Sequence, residues 1–255
     1  MPTYPATGLV LHRLNLGETD KILTLYTREH GKLSAVAKGA RKPASRLSGA
    51  TELFTLSRFL LATGKSLDIV TQCEIQESFP SLRSDLARLA RATYLCELLD
   101  RLTIERDATS SAELCDLTVW ALTLLQRAGA YPDGIVHSYE LRLLAALGYA
   151  PALDRCVRCG QPLERRTVGF SPSLGGTLCS ADRYRVEDAL PLSAEAVHLL
   201  QTLFSAEPET VLALHPSPRT AAEVDRALRW YVRYRAERDL KSADFLDQLR
   251  AAQNI

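Results

Sequence analysis

Between Leu67 and Ile75 the chain alternates. Leu67, Ile69, Thr71, Cys73 and Ile75 sit on one parity, against Asp68, Val70, Gln72 and Glu74 on the other. Side chains of a strand point to opposite faces in turn, so this pattern predicts a half-buried strand over 66–76. Four more strands are predicted at 7–14, 20–28, 31–39 and 51–62. In the third, Leu33, Ala35 and Ala37 share a face, with Lys32, Ser34 and Lys38 on the other. Turn signals at Leu16-Gly17-Glu18, His30-Gly31 and Thr63-Gly64 separate the segments. Five short strands in so few residues fit a Greek-key barrel of the OB type, with an SH3-like barrel as the structural competitor.

After Pro80 the period lengthens. Leu82, Leu86, Leu89, Thr93, Cys96, Leu99 and Leu102 recur every three or four residues, which predicts one face of a helix. A second helix is predicted over Ser111–Arg127, with Ser111 as N-cap and Gly129 as the stop, and a third over Gly134–Leu147, ending at Gly148. Residues 150–190 break the pattern with Cys, Gly, Pro and Arg. Helices resume at Ser193–Phe204, Thr220–Arg238 and Ser242–Ala252. The predicted fold class is α+β. A five-stranded OB-type barrel at 1–80 precedes a helical domain at 81–255, which carries a zinc-ribbon-like insert at about 150–190.

Composition changes this picture little. The 255 residues are 46% hydrophobic and 24% charged, which excludes a disordered polyelectrolyte or a fibre. No run approaches the ~18 apolar residues of a membrane helix, and Met-Pro-Thr-Tyr-Pro is no signal peptide, so a cytoplasmic, nucleoid-associated protein without membrane contact is expected. Charge is more informative. The net value is +1, yet residues 1–65 hold ten Lys or Arg against four acids, leaving the rest of the chain at −5. A basic end points to a polyanion.

Two clusters carry candidate chemistry. Cys156-Val-Arg-Cys159 is followed by nineteen residues and then by Cys179-Ser-Ala-Asp182. Two knuckles at such a distance build a tetrahedral zinc site, with Asp182 where a fourth Cys is expected. Three readings compete: a zinc site of Cys156, Cys159, Cys179 and Asp182; a knuckle without metal; and a site completed by a distant His or water. A thioredoxin-like role does not fit, since the pair opens no helix after a strand, and the H-x-E element of a zinc deaminase is absent.

The second cluster is basic. Gly39–Gly49 contains Arg41, Lys42 and Arg46, and Lys32 and Lys38 lie on one face of the strand that feeds it. With Lys21 they make a phosphate track, or a solvated loop. Tyr26, Phe54 and Phe59 can stack bases or fill the core. Phe54 and Phe59 fall on opposite strand parity, which puts at least one of them inside. In the late helix Arg226, Arg229 and Arg233 share a face, and Arg235, Arg238 and Lys241 follow. That face is solvated, or is a second nucleic-acid contact. Nucleotide loops, metalloprotease and nucleophile-elbow motifs are absent, and the five His are scattered. His137 near Glu140 reads as a surface pair rather than a catalytic one. The residues favour a non-enzymatic nucleic-acid binder.

Gly17-Glu-Thr-Asp-Lys-Ile-Leu-Thr-Leu-Tyr-Thr27, Gly31-Lys32, Ala37-Lys-Gly-Ala-Arg-Lys42, the Cys insert and Leu240-Lys-Ser-Ala-Asp-Phe-Leu246 together resemble, in order and spacing, the bacterial RecO family of DNA repair and recombination mediators. The resemblance implies an OB fold, a helical domain and a zinc insert. It implies binding of single- and double-stranded DNA and annealing of complementary strands. It also implies RecR and the acidic C-terminal tail of single-strand-binding protein as partners, with RecA loaded on coated strands. Six backbone contacts by Lys21, Lys32, Lys38, Arg41, Lys42 and Arg46 would give a salt slope of about −4 on single strands. Two other classes stay open: an OB-fold RNA-binding factor, and a protein-interaction scaffold built on the insert.

Overall fold

The structure is a computed structural model that describes residues 1–127, 129–163, 168–236 and 240–253. It divides into two compact units, Met1–Gln126 with Leu240–Ile255, and Arg127–Asp239.

The first unit is built on a closed barrel of strands in the order β1-β2-β3-β5-β4. They are β1 (Thr3–Leu16), β2 (Asp20–Thr27), β3 (Gly31–Ala37), β4 (Leu56–Ala62) and β5 (Asp68–Glu77). The long β1 pairs antiparallel with both β2 and β4. The cylinder is closed by the parallel pairing of β3 with β5 at Ala35–Asp68 and Val36–Ile69, as an OB-like barrel requires. Inward positions of all five strands make the core, among them Val10, Leu23, Leu25, Leu33, Phe59 and Val70. Leu33, Ala35 and Ala37 are fully buried, as the alternation predicts.

The strands depart from the pattern in three places. β1 begins four residues before the predicted strand. In β5 the buried side chains are Asp68 and Val70 while Ile75 is exposed, so the parity is the reverse of the one the alternation predicts: Asp68 is taken inside by its bonds to Tyr4 and Arg106. The third is at the start of β4. Residues 51–55 precede β4 as a turn, and Phe54 takes φ 67° there. Strand parity therefore does not govern Phe54, and both Phe54 and Phe59 are core, as is Tyr26. Three helices follow the barrel: α1 (Pro80–Ser84), α2 (Leu86–Leu102) and α3 (Ser111–Arg127). The single helix predicted from Leu82 is split at Asp85, whose side chain caps α2 by accepting from the Arg88 amide at 2.8 Å. Leu86 is consequently exposed rather than on the core face. Ser111 is the first residue of α3, and its hydroxyl donates to the Arg28 carbonyl at 2.6 Å.

The second unit opens with α4 (Pro132–Ala146). Gly148, at φ +84°, ends it in a Schellman turn: the Gly148 amide donates to Ala145 and the Tyr149 amide to Leu144. The insert carries a three-stranded sheet, β7-β6-β8, of β6 (Val168–Ser171), β7 (Gly176–Leu178) and β8 (Leu190–Leu192). Then come α5 (Ala194–Ser205), α6 (Pro208–Leu212) and α7 (Pro218–Ala236). Ser193 caps α5 through the Ala196 amide. Val224, Ala227, Leu228, Tyr231 and Val232 form the buried stripe of α7. Arg238 lies outside the described residues.

The chain then returns to the first unit as α8 (Lys241–Gln253), which packs on α2. Glu97 of α2 accepts from the Lys241 amide (3.2 Å), the Ser242 amide (2.8 Å) and the Ser242 hydroxyl. A carboxylate at a helix N-terminus satisfies orphan amides and complements the dipole. Its pKa is held below the usual carboxylate value: burial opposes ionisation, and the Ser242 and Lys241 donors outweigh it.

Candidate functional site

The barrel cations divide by environment. Lys21 is buried on β2, and its ammonium donates to Thr51 Oγ1 and Glu52 Oε1, both at 3.1 Å. Glu52 also pairs with Arg13. These contacts hold its carboxyl below the usual range despite burial. Lys32 is half-buried, with its ammonium 3.0 Å from Asp100 Oδ1. Lys38, Arg41, Lys42 and Arg46 are exposed, and all lie on or beside the loop after β3.

That loop is anchored rather than loose. Asp20 Oδ1 accepts from the Gly39 amide and from Thr19 Oγ1, both at 2.8 Å. The Arg41 amide donates to the Thr19 carbonyl, and the Arg41 guanidinium to the Gly17 carbonyl, each at 2.9 Å. The Gly39 amide first, then Thr19 and the charges of Lys38 and Lys42, hold the Asp20 carboxyl below its ordinary pKa. Thus the turns after β1 and after β3 are tied together, and the segment after β3 carries the four exposed cations.

The other cations lie in the second unit. Arg226 and Arg233 are exposed on α7 and Arg229 is half-buried, all away from the buried stripe. Arg226 donates to the Pro191 carbonyl at 3.2 Å.

The insert brings Cys156, Cys159, Cys179 and Asp182 together, with one donor atom from each within 4.8 Å of every other. Cys156 Sγ is 3.4 Å and Cys179 Sγ 3.5 Å from Asp182 Oδ2, and Cys159 and Cys179 are 3.9 Å apart. Local folding explains the convergence. The Cys156 amide donates to Gln161 and the Gly160 amide returns to Cys156, making one tight turn. A 3-10 turn over Asp182–Tyr184 makes the other. Burial works to raise the Cys156 thiol, but the amides of Cys159, Cys179 and Arg158 outweigh it and lower its pKa. The Asp182 carboxyl is also depressed. Desolvation opposes this, and the Cys donors with the Arg158 guanidinium prevail. Arg158 and Arg185 each stand 3.8 Å from Asp182 Oδ1, a pair that the Cys spacing alone did not flag. The group can hold a metal ion.

His137 and Glu140 are not on the surface. The pair is buried, with Nδ1 3.0 Å from Glu140 Oε2 and Nε2 3.7 Å from Asp225 Oδ1 on α7. It reads as a buried polar link between α4 and α7.

Comparison with known proteins places this geometry. The family profile described as "Recombination protein O N terminal" matches residues 1–79, and "Recombination protein O C terminal" matches 83–244. The chain belongs to the RecO family. Among RecO-family relatives, the DNA repair protein RecO of Symbiobacterium thermophilum is 42% identical over 99% of this chain and all of its own length. That of Pelotomaculum thermopropionicum is 40% identical over 97% of this chain and 95% of its own. The Roseiflexus sp. RecO is 42% identical over 97% and 86%. The two RecO profiles meet just after β5, where the strands give way to helices. No helix among the described residues is long and apolar enough to cross a membrane.

Proposed function

We propose that the chain is a DNA-binding recombination mediator. It neutralises the backbones of single and double strands without reading their bases, and so lets complementary strands anneal. Family membership supports the role in DNA repair and recombination. The observation that carries the binding mode is the anchored loop bearing Lys38, Arg41, Lys42 and Arg46 at one end of the closed barrel. Cations held on a fixed backbone release phosphate counterions without ordering a loop first. Lys21 and Lys32 serve the barrel itself through Glu52 and Asp100, and Arg226, Arg229 and Arg233 add a second cationic face. The chain acts without catalysing a reaction. RecR and the acidic tail of single-strand-binding protein are its partners, and RecA is the protein it loads.

The metal is zinc in this reading. For Zn–S of about 2.3 Å and Zn–O of about 2.1 Å, a tetrahedron has S···S edges of about 3.8 Å and S···O edges of about 3.6 Å. The spacings of 3.9, 3.4 and 3.5 Å support that fit, with Asp182 as the fourth ligand. Zinc bound there would tie the two turns of the insert together.

The test is annealing of two complementary labelled oligonucleotides coated with single-strand-binding protein. The chain should accelerate it, and the acceleration should fade with salt. The four exposed loop cations should contribute about −3 to the slope of log K against log salt for bare single strands, at about 0.7 per contact. The double variant Lys38→Ala/Arg41→Ala should lose about 1.4 of that slope. An unaltered slope would remove the loop from the interface, and no acceleration would remove the annealing role.

A further inference from the structure

The second unit contains a groove of about 980 Å³ that neither the barrel loop nor the metal cluster explains. One wall is α7, which contributes Trp230, Arg233 and Tyr234. The other is the insert, through Pro172, Leu174 and Leu190, with Arg158 and Arg185 at its rim. We infer that this groove is a stacking site for single-stranded nucleic acid, in which bases lie on Trp230 and Tyr234 while Arg158, Arg185 and Arg233 hold phosphates. The inference rests on the DNA-binding reading above and gives its second cationic face a base-stacking component.

Three observations carry it. First, large rings are normally covered, yet Trp230 and Tyr234 are 52% and 51% exposed. They stand one helical turn apart, about 6 Å along the axis, close to twice the roughly 3.4 Å rise per base. Second, the rim is cationic. Of its two acids, Asp188 is already engaged: Oδ1 accepts from Ser171 Oγ at 2.6 Å and Oδ2 from the Ser173 amide at 2.8 Å. Glu187 shares the lining with Arg158, Arg185 and Arg233, of which Arg158 and Arg185 also stand 3.8 Å from Asp182 Oδ1. Third, the α7 stripe continues the charge: Arg226 and Arg229 precede Trp230 on the same side of the helix. The Arg235 guanidinium already lies over the Tyr234 ring, 5.4 Å from its centroid, so Trp230 is the main stacking surface and Tyr234 offers its remaining exposed part. Cations interleaved with exposed aromatic rings are what a sequence-tolerant single-strand site needs. An acidic peptide would satisfy the cations but would leave the flat ring faces without a matching surface.

The protein supplies its own reporter, because it holds two tryptophans, Trp120 and Trp230. In the full-length Trp120→Phe variant, fluorescence reports Trp230 alone. Titration with an oligo(dT) of about fifteen nucleotides should quench it, and a blunt duplex of that length should quench it far less. The double variant Trp230→Ala/Tyr234→Ala should bind the oligonucleotide at least about thirtyfold more weakly with an unchanged salt slope, since two stacks are lost and rings release no counterions. Arg233→Ala should instead shallow the slope by about 0.7. Circular dichroism checks the fold of each variant, and the quench itself needs neither alanine variant. If the chain binds oligonucleotide with a loop-dependent slope but Trp230 emission does not change, the groove inference falls and the DNA-binding reading stands. If an Asp/Glu-rich peptide quenches Trp230 and oligo(dT) does not, the occupant is a protein and the inference falls. If the chain binds no DNA at low salt, both readings fall together.

Discussion

Gly31 sits at φ +64°, and a Cβ there would stand 1.9 Å from the Asp107 carbonyl oxygen. Neither the backbone angle nor the space accepts a side chain. Gly31→Ala should cost about 2–4 kcal/mol, read as a lower urea midpoint at constant m. Equal midpoints would mean that the loop carrying Asp107 moves aside freely. Asp20 makes a pH prediction. Its folded pKa is depressed, so its contribution is complete above the ordinary carboxylate value and is lost as pH falls through the lower folded value. The Gly39 amide shift should therefore titrate with a midpoint below the usual Asp range, and Asp20→Asn should flatten that curve. A midpoint at the ordinary value would unpin the loop. Single residues were also where the sequence was hardest to read. The exposed cations of the loop were legible because a turn between strands faces water. The burial of Lys21 was not, because its partners Thr51 and Glu52 lie thirty residues away and nothing local announces them. His137 misled for the same reason: its second carboxylate, Asp225, belongs to another helix.

At the scale of elements, alternation and periodicity located each barrel strand and the long helices. They failed where a side chain overruled the period. Asp85 caps α2 and breaks the run that Leu82 and Leu86 suggested, and Phe54 turns through positive φ inside a segment that looked extended. The motif at Leu240–Leu246 was recognisable as a string, but its role needed coordinates. Ser242 and Lys241 meet Glu97 and fasten α8 to α2. Glu97→Gln keeps the shape and removes the charge, and should lower stability by about 1–2 kcal/mol in denaturant unfolding. An unchanged midpoint would show that packing alone holds α8.

For the whole molecule, the chain divides into two compact units, and they should respond separately to metal. The Cys cluster lies entirely within residues 127–239. Atomic absorption should find one zinc per chain, and Asp182→Ala should weaken retention against a chelator. Calorimetry of the chelated protein should show the transition of the second unit lowered and that of the barrel unit unmoved. A barrel transition that moved with it would mean that the units melt as one. The sequence announced the strand-to-helix change after residue 80, but hydrophobic pattern does not reveal that the last helix belongs with the first strands.

That return of the chain has a temporal meaning. Glu97 is made early, and its partners Lys241 and Ser242 only after all of residues 127–239 have been synthesised. On the ribosome the barrel can close by itself, but its unit waits more than a hundred residues for its final helix. During that interval the inserted unit can fold and take up metal, with the α2 surface that awaits α8 still uncovered. A nascent chain stopped before Leu240 therefore holds a Glu97 carboxylate without the helix-end donors that the finished protein gives it.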